Sequence, residues 1–243
     1  MKKFIFDTPE QLGQKAAEQA AALLNAAINE KGSARLLLST GASQFETIKA
    51  LRAKAVDWTK VEMFHLDEYI GIGSDHPASF VKYLKERFIC GDLPLAAAYF
   101  IDGLKNPQDS IAETNEAILR APIDAALIGI GENAHIAFND PPADFDTKEP
   151  FIIVTLDEAC KAQQVREKWF PTLDDVPKTA VTMTVHRIMQ SKVIISCVPF
   201  SQKAKAVADT LNNDVTNMVP ATILKTHGDW TLYLDRDSAA LVS

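Results

Sequence analysis

Residues 124–140 of the chain read Asp-Ala-Ala-Leu-Ile-Gly-Ile-Gly-Glu-Asn-Ala-His-Ile-Ala-Phe-Asn-Asp. The apolar run before Gly129 has the length of a buried strand, and Gly129 and Gly131 permit a tight turn where that strand ends. Polar side chains then cluster around His135. Because α/β proteins bind ligands beyond the carboxyl ends of their parallel strands, this stretch predicts a parallel sheet with a site at its edge. The alternative interpretation is a turn held only by its own hydrogen bonds.

Strand and helix patterns alternate on both sides of this stretch. Thr8-Pro-Glu-Gln11 has the N-cap, the first-turn proline and the capping-box Gln of a helix that ends near Gly32. Further strands are predicted at 35–38, 61–66, 151–154, 179–185, 192–198 and 230–234, and further helices from about 43, over 76–88, from 106, over 157–170 and from 201. Apolar strands spaced by helices indicate an α/β fold with a mostly parallel sheet covered by helices on both faces. Since no linker-like segment interrupts the pattern, we expect a single domain over residues 1–243.

The composition limits the classes of function. Of the 243 residues, 47% are apolar and 23% are charged, as in an ordinary globular protein. The net charge of −7 argues against general nucleic-acid binding, which needs a basic surface. The sequence has no apolar run of roughly 18 residues for a membrane span and no signal-peptide pattern at its N-terminus. We therefore expect a cytoplasmic protein without a nucleic-acid or membrane partner.

The three cysteines also favour a reducing compartment. Cys90, Cys160 and Cys197 are far apart and match neither a disulfide framework nor a zinc-binding pattern. Cys197 lies in an apolar run and is expected to be a small buried side chain.

Two segments are candidate anion sites. Ser39-Thr-Gly-Ala-Ser43 connects a predicted strand to a helix, and such a corner exposes backbone N–H groups at the positive end of the helix. Thr40 and Ser43 add hydroxyl donors, although Ser43 could instead be a simple N-cap. Lys203 lies at the start of another helix, where a cation is unfavourable unless an anion binds beside it. A solvent-exposed lysine is the alternative there.

Two further cations lie on the helix that precedes Phe170. Arg166 and Lys168 could contact the same anion. An ordinary solvated helix face explains them equally well.

A second polar cluster follows the strand predicted at 61–66. Asp67 and Glu68 are adjacent, so their side chains point in different directions and at most one is expected to face a given cleft. A carboxylate at this place could serve as a general base. The alternative is a solvated acidic turn. His65 lies within the apolar strand and is expected to be structural.

His135 and Asp140 form the third candidate group. They are five residues apart around the turn, so the carboxylate can orient the imidazole and stabilise its charged form. Asn133 can form a hydrogen bond there but supplies no charge. A metal site is the weaker interpretation, because no further ligands follow at zinc spacing.

Taken in order, these segments resemble the hexosamine-6-phosphate isomerase/deaminase family from about residue 35 to about 225. The motifs concerned are Ser-Thr-Gly-Ala-Ser (39–43), Leu-Asp-Glu-Tyr (66–69), Gly-x-Gly-x-x-x-His-Ile-Ala-Phe-Asn (129–139), Val-Pro-Lys (176–178) and Ser-Gln-Lys (201–203). The resemblance implies a Rossmann-like sheet, no cofactor and a small sugar-phosphate substrate. Enzymes of this family open the ring of an amino-sugar 6-phosphate, isomerise the aldose to a ketose and release ammonia to give fructose 6-phosphate.

The resemblance also implies a role for each matching residue. Asp67 matches the base that moves a proton between C2 and C1, His135 the ring-opening acid–base residue, and Asp140 its carboxylate partner. The residues that match the phosphate site are Thr40, Gly41, Ala42, Ser43, Lys168 and Lys203. The chain departs from the family pattern at four positions of the site. Asn133 replaces an aspartate, Asp140 a glutamate, Ala42 a glycine and Lys168 an arginine.

Two other functions remain as alternatives at this point. 6-Phosphogluconolactonases share the fold and the Gly-x-Gly-x-x-x-His corner, and would use His135 as a general base on water; the 66–69 motif and Asp140 favour the deaminase. A sugar-phosphate sensor without turnover is suggested by Asn133. Such sensors usually carry a DNA-binding segment, and none is recognisable before residue 35. A monomer or a small homo-oligomer is expected.

Overall fold

Seven parallel strands form the central sheet in the computed structural model, which describes residues 1–91 and 93–242. The strands are β1 (Lys2–Phe6), β2 (Ala34–Leu38), β3 (Val61–His65), β5 (Ala97–Tyr99), β6 (Ala125–Leu127), β9 (Ile194–Val198) and β10 (Trp230–Asp235). Their order across the sheet is β1-β10-β9-β6-β2-β3-β5. The predicted α/β fold with a mostly parallel sheet is confirmed.

Helices connect these strands, and most of them begin at a residue whose side chain caps the helix. They are α1 (Pro9–Lys31), α2 (Phe45–Arg52), α3 (Phe80–Arg87), α4 (Pro107–Ile118), α5 (Glu158–Arg166), α6 (Val185–Met189) and α7 (Ala204–Asn212). As predicted, the Thr8 hydroxyl accepts a hydrogen bond from the Gln11 N–H, and Gly32 ends α1 in the left-handed conformation. No helix in the described part of the chain combines the length and the apolar character that a membrane crossing requires.

The central sheet buries both of its faces. On β2, Leu37 packs into one apolar cluster, whereas Leu36 and Leu38 pack into the cluster on the opposite face. Side chains of α1, α2 and α3 complete the second cluster, and those of α4, α6 and α7 complete the first. Burial on both faces explains why these strands are apolar throughout, and it confirms the predicted helices on both sides.

A separate antiparallel sheet holds three short strands that flank the site. These are β4 (Asp67–Tyr69), β7 (Phe151–Thr155) and β8 (Thr179–Met183), in the order β4-β8-β7. The strands predicted at 151–154 and 179–185 therefore pair with each other in opposite directions, outside the parallel sheet. Exposed residues alternate along β7, which is an edge strand of this sheet, whereas β4 and β8 are almost entirely buried.

Several element boundaries differ from the sequence-based prediction for local reasons. α3 begins at Phe80, because the Ser79 hydroxyl accepts a hydrogen bond from the Lys82 N–H and caps the helix there. Thr184 ends β8 and caps the short α6, which was not predicted. Ser201 does not cap a helix; it opens the 3₁₀ turn Ser201–Lys203, which continues into α7. The helix predicted over 157–170 ends at Arg166. Strands β1, β4 and β5 were also not predicted, since they are short or partly exposed.

Candidate active site

The candidate site lies where the order of the central strands changes direction. From β2, the chain proceeds to β3 and β5 on one side, while β6, β9 and β10 follow on the other. Adjacent parallel strands that lead away from each other leave a crevice at their carboxyl ends, where α/β proteins bind ligands. A cleft of about 610 Å³ opens there, and segments that follow β2, β3, β6 and β9 line it.

The segment after β2 forms a compact loop with its backbone exposed to the cleft. Gly41 has φ +97°, a conformation that favours glycine, and a 3₁₀ turn over Ala42–Gln44 follows it. The buried amide of Gln44 donates hydrogen bonds to the Ser43 hydroxyl (3.0 Å) and to a backbone carbonyl of β9 (3.0 Å). All of the predicted loop residues Thr40, Gly41, Ala42 and Ser43 line the cleft. The loop has the geometry of an anion site.

Lys203 follows the end of β9 and lines the same cleft. It is therefore not solvent-exposed, as the alternative interpretation had it. Only 6% of the residue is exposed, and in the described part of the chain no carboxylate lies within ion-pair distance of it. Burial lowers the pKa of its amine, although the more distant charges of Glu167 and Glu132 oppose this shift. A buried cation without a counter-ion is unfavourable unless a ligand supplies the negative charge.

Asp67 faces the cleft from the opposite side. Residue Asp67 is 6% exposed and its backbone pairs with Thr182 in the antiparallel sheet. Burial raises the pKa of this carboxyl well above its ordinary value, and the negative charges of Glu68 and Asp140 raise it further. A carboxylate with a raised pKa is a stronger base toward a carbon-bound proton. Asp67 and Glu68 are therefore buried, and they do not form the solvated acidic turn of the alternative interpretation.

Glu68 points away from the cleft, as expected for adjacent strand residues. Its carboxylate accepts hydrogen bonds from the Ser79 hydroxyl (2.6 Å) and from the backbone N–H groups of Tyr69 (2.9 Å), Phe80 (3.3 Å) and Val81 (2.9 Å). It thus holds the start of α3 against β4. The buried His65 accepts a hydrogen bond from the Ile101 N–H, and burial lowers its pKa to about 3, so it is a neutral structural residue.

His135 and Asp140 are in direct contact, as the sequence predicts. The distance between His135 Nδ1 and Asp140 Oδ1 is 3.0 Å, and both side chains are nine-tenths buried or nearly so. Burial alone would raise the pKa of Asp140, but its interactions with His135, Asn133 and Cys160 together lower it. The carboxylate therefore stays ionised and fixes the orientation of the imidazole.

Asn133 connects the two ends of this turn. Its amide nitrogen donates a hydrogen bond to Asp140 Oδ1 (3.0 Å), and its amide oxygen accepts one from the His135 N–H (3.2 Å). Asn133 therefore orients the carboxylate without adding charge, which is the limited role that its chemistry permits.

Gly131 makes room for the imidazole. A Cβ atom at this position would overlap Cε1, Nε2 and Cδ2 of His135. The second glycine of the Gly-x-Gly corner is thus required by the packing of His135. Ala134 and Ala137, on either side of the histidine, both have positive φ angles (64° and 51°), which is unusual for alanine.

The structure does not bring Lys168 into this cleft. Lys168 has φ +63° and lines a separate concave surface beside His76 and Phe170. Its neighbour Trp169 faces the cleft instead. Arg166, the other predicted cation, forms an exposed ion pair with Glu132.

Five residues of the cleft were not predicted from the sequence: Phe80, Gln163, Gln164, Glu167 and Trp169. Glu167 is held in place, since it accepts hydrogen bonds from Gln163 Nε2 (2.7 Å) and Trp169 Nε1 (3.1 Å). The sequence offers one signal for Trp169, because this aromatic residue follows directly after Lys168, a candidate cation of the site. Nothing local in the sequence distinguishes the two glutamines from a solvated helix face.

One group of three described side chains has the residue types of a metal site. Ligand atoms of His135, Asp140 and Cys160 all lie within 4.8 Å of one another. However, zinc binds the thiolate form of cysteine. Burial, with the neighbouring charges of Asp140 and Asp157, raises the pKa of the Cys160 thiol far above its usual range. The group is therefore better suited to hydrogen bonding than to metal binding.

The chain is similar to known proteins over nearly its whole length. A family model for glucosamine-6-phosphate isomerases/6-phosphogluconolactonase matches residues 7–233. The glucosamine-6-phosphate deaminase of a Geobacillus species is 33% identical over 240 residues, which cover 96% of this chain and 92% of that protein. The solved structure of a monomeric glucosamine-6-phosphate deaminase is 30% identical, with a TM-score of 0.88 over 99% of this chain and 100% of that one. A 6-phosphogluconolactonase from Shewanella baltica has a TM-score of 0.81 over 97% of each chain, but at 19% identity it shows the fold alone.

Proposed function

Because the chain belongs to the family of glucosamine-6-phosphate isomerases and 6-phosphogluconolactonases, we propose that it is an enzyme that converts glucosamine 6-phosphate to fructose 6-phosphate. One water is consumed and one ammonia is released for each sugar. The observation that carries this proposal is the buried Lys203, for which residues 1–91 and 93–242 provide no counter-ion. It shares a cleft with the buried base Asp67 and with His135, which Asp140 contacts. The cleft thus offers an anion site and two acid–base groups.

The phosphate end of the substrate binds between Lys203 and the loop 39–43. Lys203 supplies the charge, and the backbone N–H groups of the loop with the hydroxyls of Thr40 and Ser43 supply further donors. Lys168 would have to enter the cleft to contribute, so we assign the principal cationic contact to Lys203. Phe80 and Trp169 line the walls of the same cleft and suit the apolar face of a sugar.

Asp67 carries out the isomerisation on the open-chain sugar. Its carboxylate removes the proton from C2 and returns it to C1, while the O1 carbonyl gains a proton and the nitrogen loses one. The C2–H bond thus breaks, a C1–H bond forms, C1 becomes a CH2OH group, and the C2–N single bond becomes the double bond of an imine. Water then adds to C2 and ammonia leaves. The raised pKa of Asp67 suits both halves of this proton transfer.

His135 opens the sugar ring before the isomerisation. Ring opening moves a proton from the O1 hydroxyl to the ring oxygen, which a single imidazole can do as base and then as acid. Asp140 holds the imidazole through Nδ1, so the other ring nitrogen, Nε2, faces the substrate side beside Gly131.

A product assay tests this proposal. Purified protein is given glucosamine 6-phosphate, galactosamine 6-phosphate and 6-phosphogluconolactone in parallel, and ammonia, fructose 6-phosphate and lactone hydrolysis are measured. We expect ammonia and fructose 6-phosphate in equal amounts from glucosamine 6-phosphate, and neither product from the Asp67→Asn variant. Lactone hydrolysis without ammonia release would instead identify a lactonase. Tight binding of a hexose 6-phosphate without any product would identify a sensor.

The cellular compartment and the oligomeric state of the enzyme belong to the same proposal. Cys90, Cys160 and Cys197 are all free, which suits the reducing cytoplasm expected from the sequence. We also infer that the protein acts as a monomer, because the 30% identical relative is described as monomeric. Light scattering during size-exclusion chromatography measures the oligomeric state directly.

A further inference from the structure

Cys160 is buried beside the catalytic pair, and the reaction described above leaves it without a role. It lies in the first turn of α5, where Asp157 caps the helix, and it is 1% exposed. Its neighbours in an apolar cluster include Tyr69, Phe138 and Phe170. Beyond this apolar packing, its sulfur also approaches a polar group.

That group is the carboxylate of Asp140. The Cys160 sulfur, a carboxylate oxygen of Asp140 and a ring nitrogen of His135 all lie within 4.8 Å of one another. Asp140 Oδ1 already contacts His135 Nδ1 and the Asn133 amide. Oδ2 is buried and has no hydrogen-bond partner in residues 1–91 and 93–242. A buried carboxylate oxygen without a donor is rare in folded proteins, so the Cys160 thiol, whose sulfur lies within 4.8 Å of an oxygen of this carboxylate, becomes significant as a potential donor.

We propose that Cys160 is a positioning residue, whose S–H group donates a hydrogen bond to Asp140 Oδ2 and thereby fixes the carboxylate that orients His135. The roles of His135 and Asp140 in this statement rest on the proposed function. The contact between the thiol and the carboxylate does not depend on it.

The chemistry of the thiol agrees with a donor role. Burial and the nearby carboxylates of Asp140 and Asp157 raise the pKa of the Cys160 thiol, so it keeps its proton. Hydrogen bonding from His135, Asn133 and Cys160 lowers the pKa of Asp140, so the acceptor stays ionised. A protonated, inaccessible thiol is neither a nucleophile nor a metal ligand, but it can donate one hydrogen bond.

The neighbouring residues show why this donor matters in this chain. Asn133 supplies a hydrogen bond but no charge, so Asp140 is the single carboxylate in contact with His135 among the described residues. Its side chain reaches the imidazole with Oδ1 only. A donor on Oδ2 prevents the carboxylate from rotating away, and it also withdraws charge from the oxygen that holds the imidazole.

Two substitutions at position 160 separate donation from packing. Cys160→Ser keeps a donor of similar size, whereas Cys160→Ala removes the donor and leaves almost the same volume. We expect kcat to fall about tenfold or more in the alanine variant, with KM nearly unchanged, and to stay within about threefold of the parent in the serine variant. Cys197→Ala, at a cysteine buried on the far face of the central sheet, is the matched control and should leave kcat unchanged.

Two spectroscopic readouts complete the test without turnover. The infrared S–H stretching band that disappears in Cys160→Ala should move to higher frequency in Asp140→Ala, because the acceptor is lost. The His135 imidazole pKa, followed by NMR, should rise in Cys160→Ala and return toward the parent value in Cys160→Ser. Without the thiol donor on Oδ2, the carboxylate keeps more negative charge on Oδ1, which then holds the imidazole proton more strongly.

The outcomes distinguish this proposal from the proposed function. An S–H band whose frequency does not change in Asp140→Ala would overturn the contact between the thiol and the carboxylate. Equal loss of kcat in the serine and alanine variants, with an unchanged His135 pKa, would show that Cys160 only packs and would overturn the positioning role. A protein without deaminase activity whose S–H band and His135 pKa respond as expected would refute the function and leave the contact intact.

Discussion

Two side chains in the cleft, Asp67 and Lys203, are buried where their charges are unfavourable. Burial and like charges raise the pKa of Asp67, and burial lowers the pKa of Lys203. Asp140 is the opposite case, because its hydrogen bonds lower its pKa despite burial. At the scale of single residues, the buried charges of Asp67 and Lys203 therefore reduce the stability of the fold, whereas the charge of Asp140 contributes to that stability. Active sites commonly show this conflict between stability and function.

The first prediction concerns the stability of Asp67→Asn. The raised pKa of Asp67 means that ionisation is harder in the folded state, so its cost is absent below the unfolded pKa of about 3.9, grows as pH rises and is complete above the folded pKa. Asp67→Asn removes this cost. At pH 7 we expect the variant to be more stable by roughly 1–2 kcal/mol in urea unfolding, and equal to the parent near pH 3.

Asp140→Asn supplies the control with opposite sign. The lowered pKa of Asp140 contributes stability above the unfolded pKa, and this stability is lost as pH falls through the folded pKa. The Asp140→Asn variant should therefore be less stable than the parent at pH 7. A destabilised Asp67→Asn at pH 7 would contradict the assignment of Asp67 as an unfavourably buried charge.

The second prediction concerns Gly131. Because a Cβ atom at this position would overlap the His135 ring, Gly131→Ala must displace the imidazole from Asp140. We expect kcat to fall about 100-fold, as for a catalytic group misplaced by about 1 Å. Gly228→Ala is the control, since nothing lies within 4 Å of a Cβ atom there. A Gly131→Ala enzyme with normal kcat would show that the ring can move without loss.

At the scale of elements, strand ends and helix starts set the positions of the site residues. β4 is short, yet its pairing with β8 directs Asp67 into the cleft, while Glu68 on the other side holds the start of α3. The 3₁₀ turn after β9 delivers Lys203, and it follows Phe200 in a strained conformation with φ +83°. Strain of this kind persists only where the surrounding structure enforces it.

The third prediction concerns the anchor of α3. Glu68→Gln replaces a carboxylate that accepts four hydrogen bonds, so one amide nitrogen must face N–H and hydroxyl donors. We expect a loss of about 1–3 kcal/mol in the free energy of unfolding. Glu86→Gln, an exposed residue on the same helix, should change stability by less than about 0.5 kcal/mol. Equal effects of the two substitutions would refute the anchoring role.

At the scale of the whole molecule, the site exists because four neighbouring strands end at one crevice. β9, β6, β2 and β3 are consecutive in the sheet, and their following segments supply Lys203, His135, the 39–43 loop and Asp67. A ligand that binds across this crevice contacts segments far apart in the sequence. Its binding energy therefore adds to the stability of the entire fold.

The fourth prediction follows from this linkage. Inorganic phosphate at ten times its Kd should raise the Tm of the protein by roughly 3–5 °C, because it binds the folded state alone. In Lys203→Met the Tm without phosphate should rise, and the response to phosphate should disappear. Lys205→Met, at an exposed lysine paired with Asp209, should respond like the parent. Measurements at constant ionic strength, with chloride in place of phosphate, exclude a general salt effect. A full response in Lys203→Met would remove Lys203 from the anion site.

The local sequence by itself determined most strands of the central sheet, though not the exposed β1 or the short β5, and it determined the strand ends that carry the site. Caps such as Thr8 and Asn106, apolar runs such as 34–38, and the glycines after β6 act over a few residues, so they can be read in order along the chain. The same reasoning placed Asp67, His135 and the 39–43 loop at strand ends, and the family resemblance implied that they share one site.

Tertiary structure alone decided the contacts that depend on distant segments. It turned Lys168 away from the cleft and Trp169 into it, and it left Lys203 buried with no counter-ion among the residues that the structure describes. It also paired β7 with β8 outside the central sheet and brought Cys160 to Asp140. Strand partners, burial and hydrogen-bond donors are chosen among residues that are remote in the chain. Local propensity carries no information about that choice, so these features became visible only once the chain was folded.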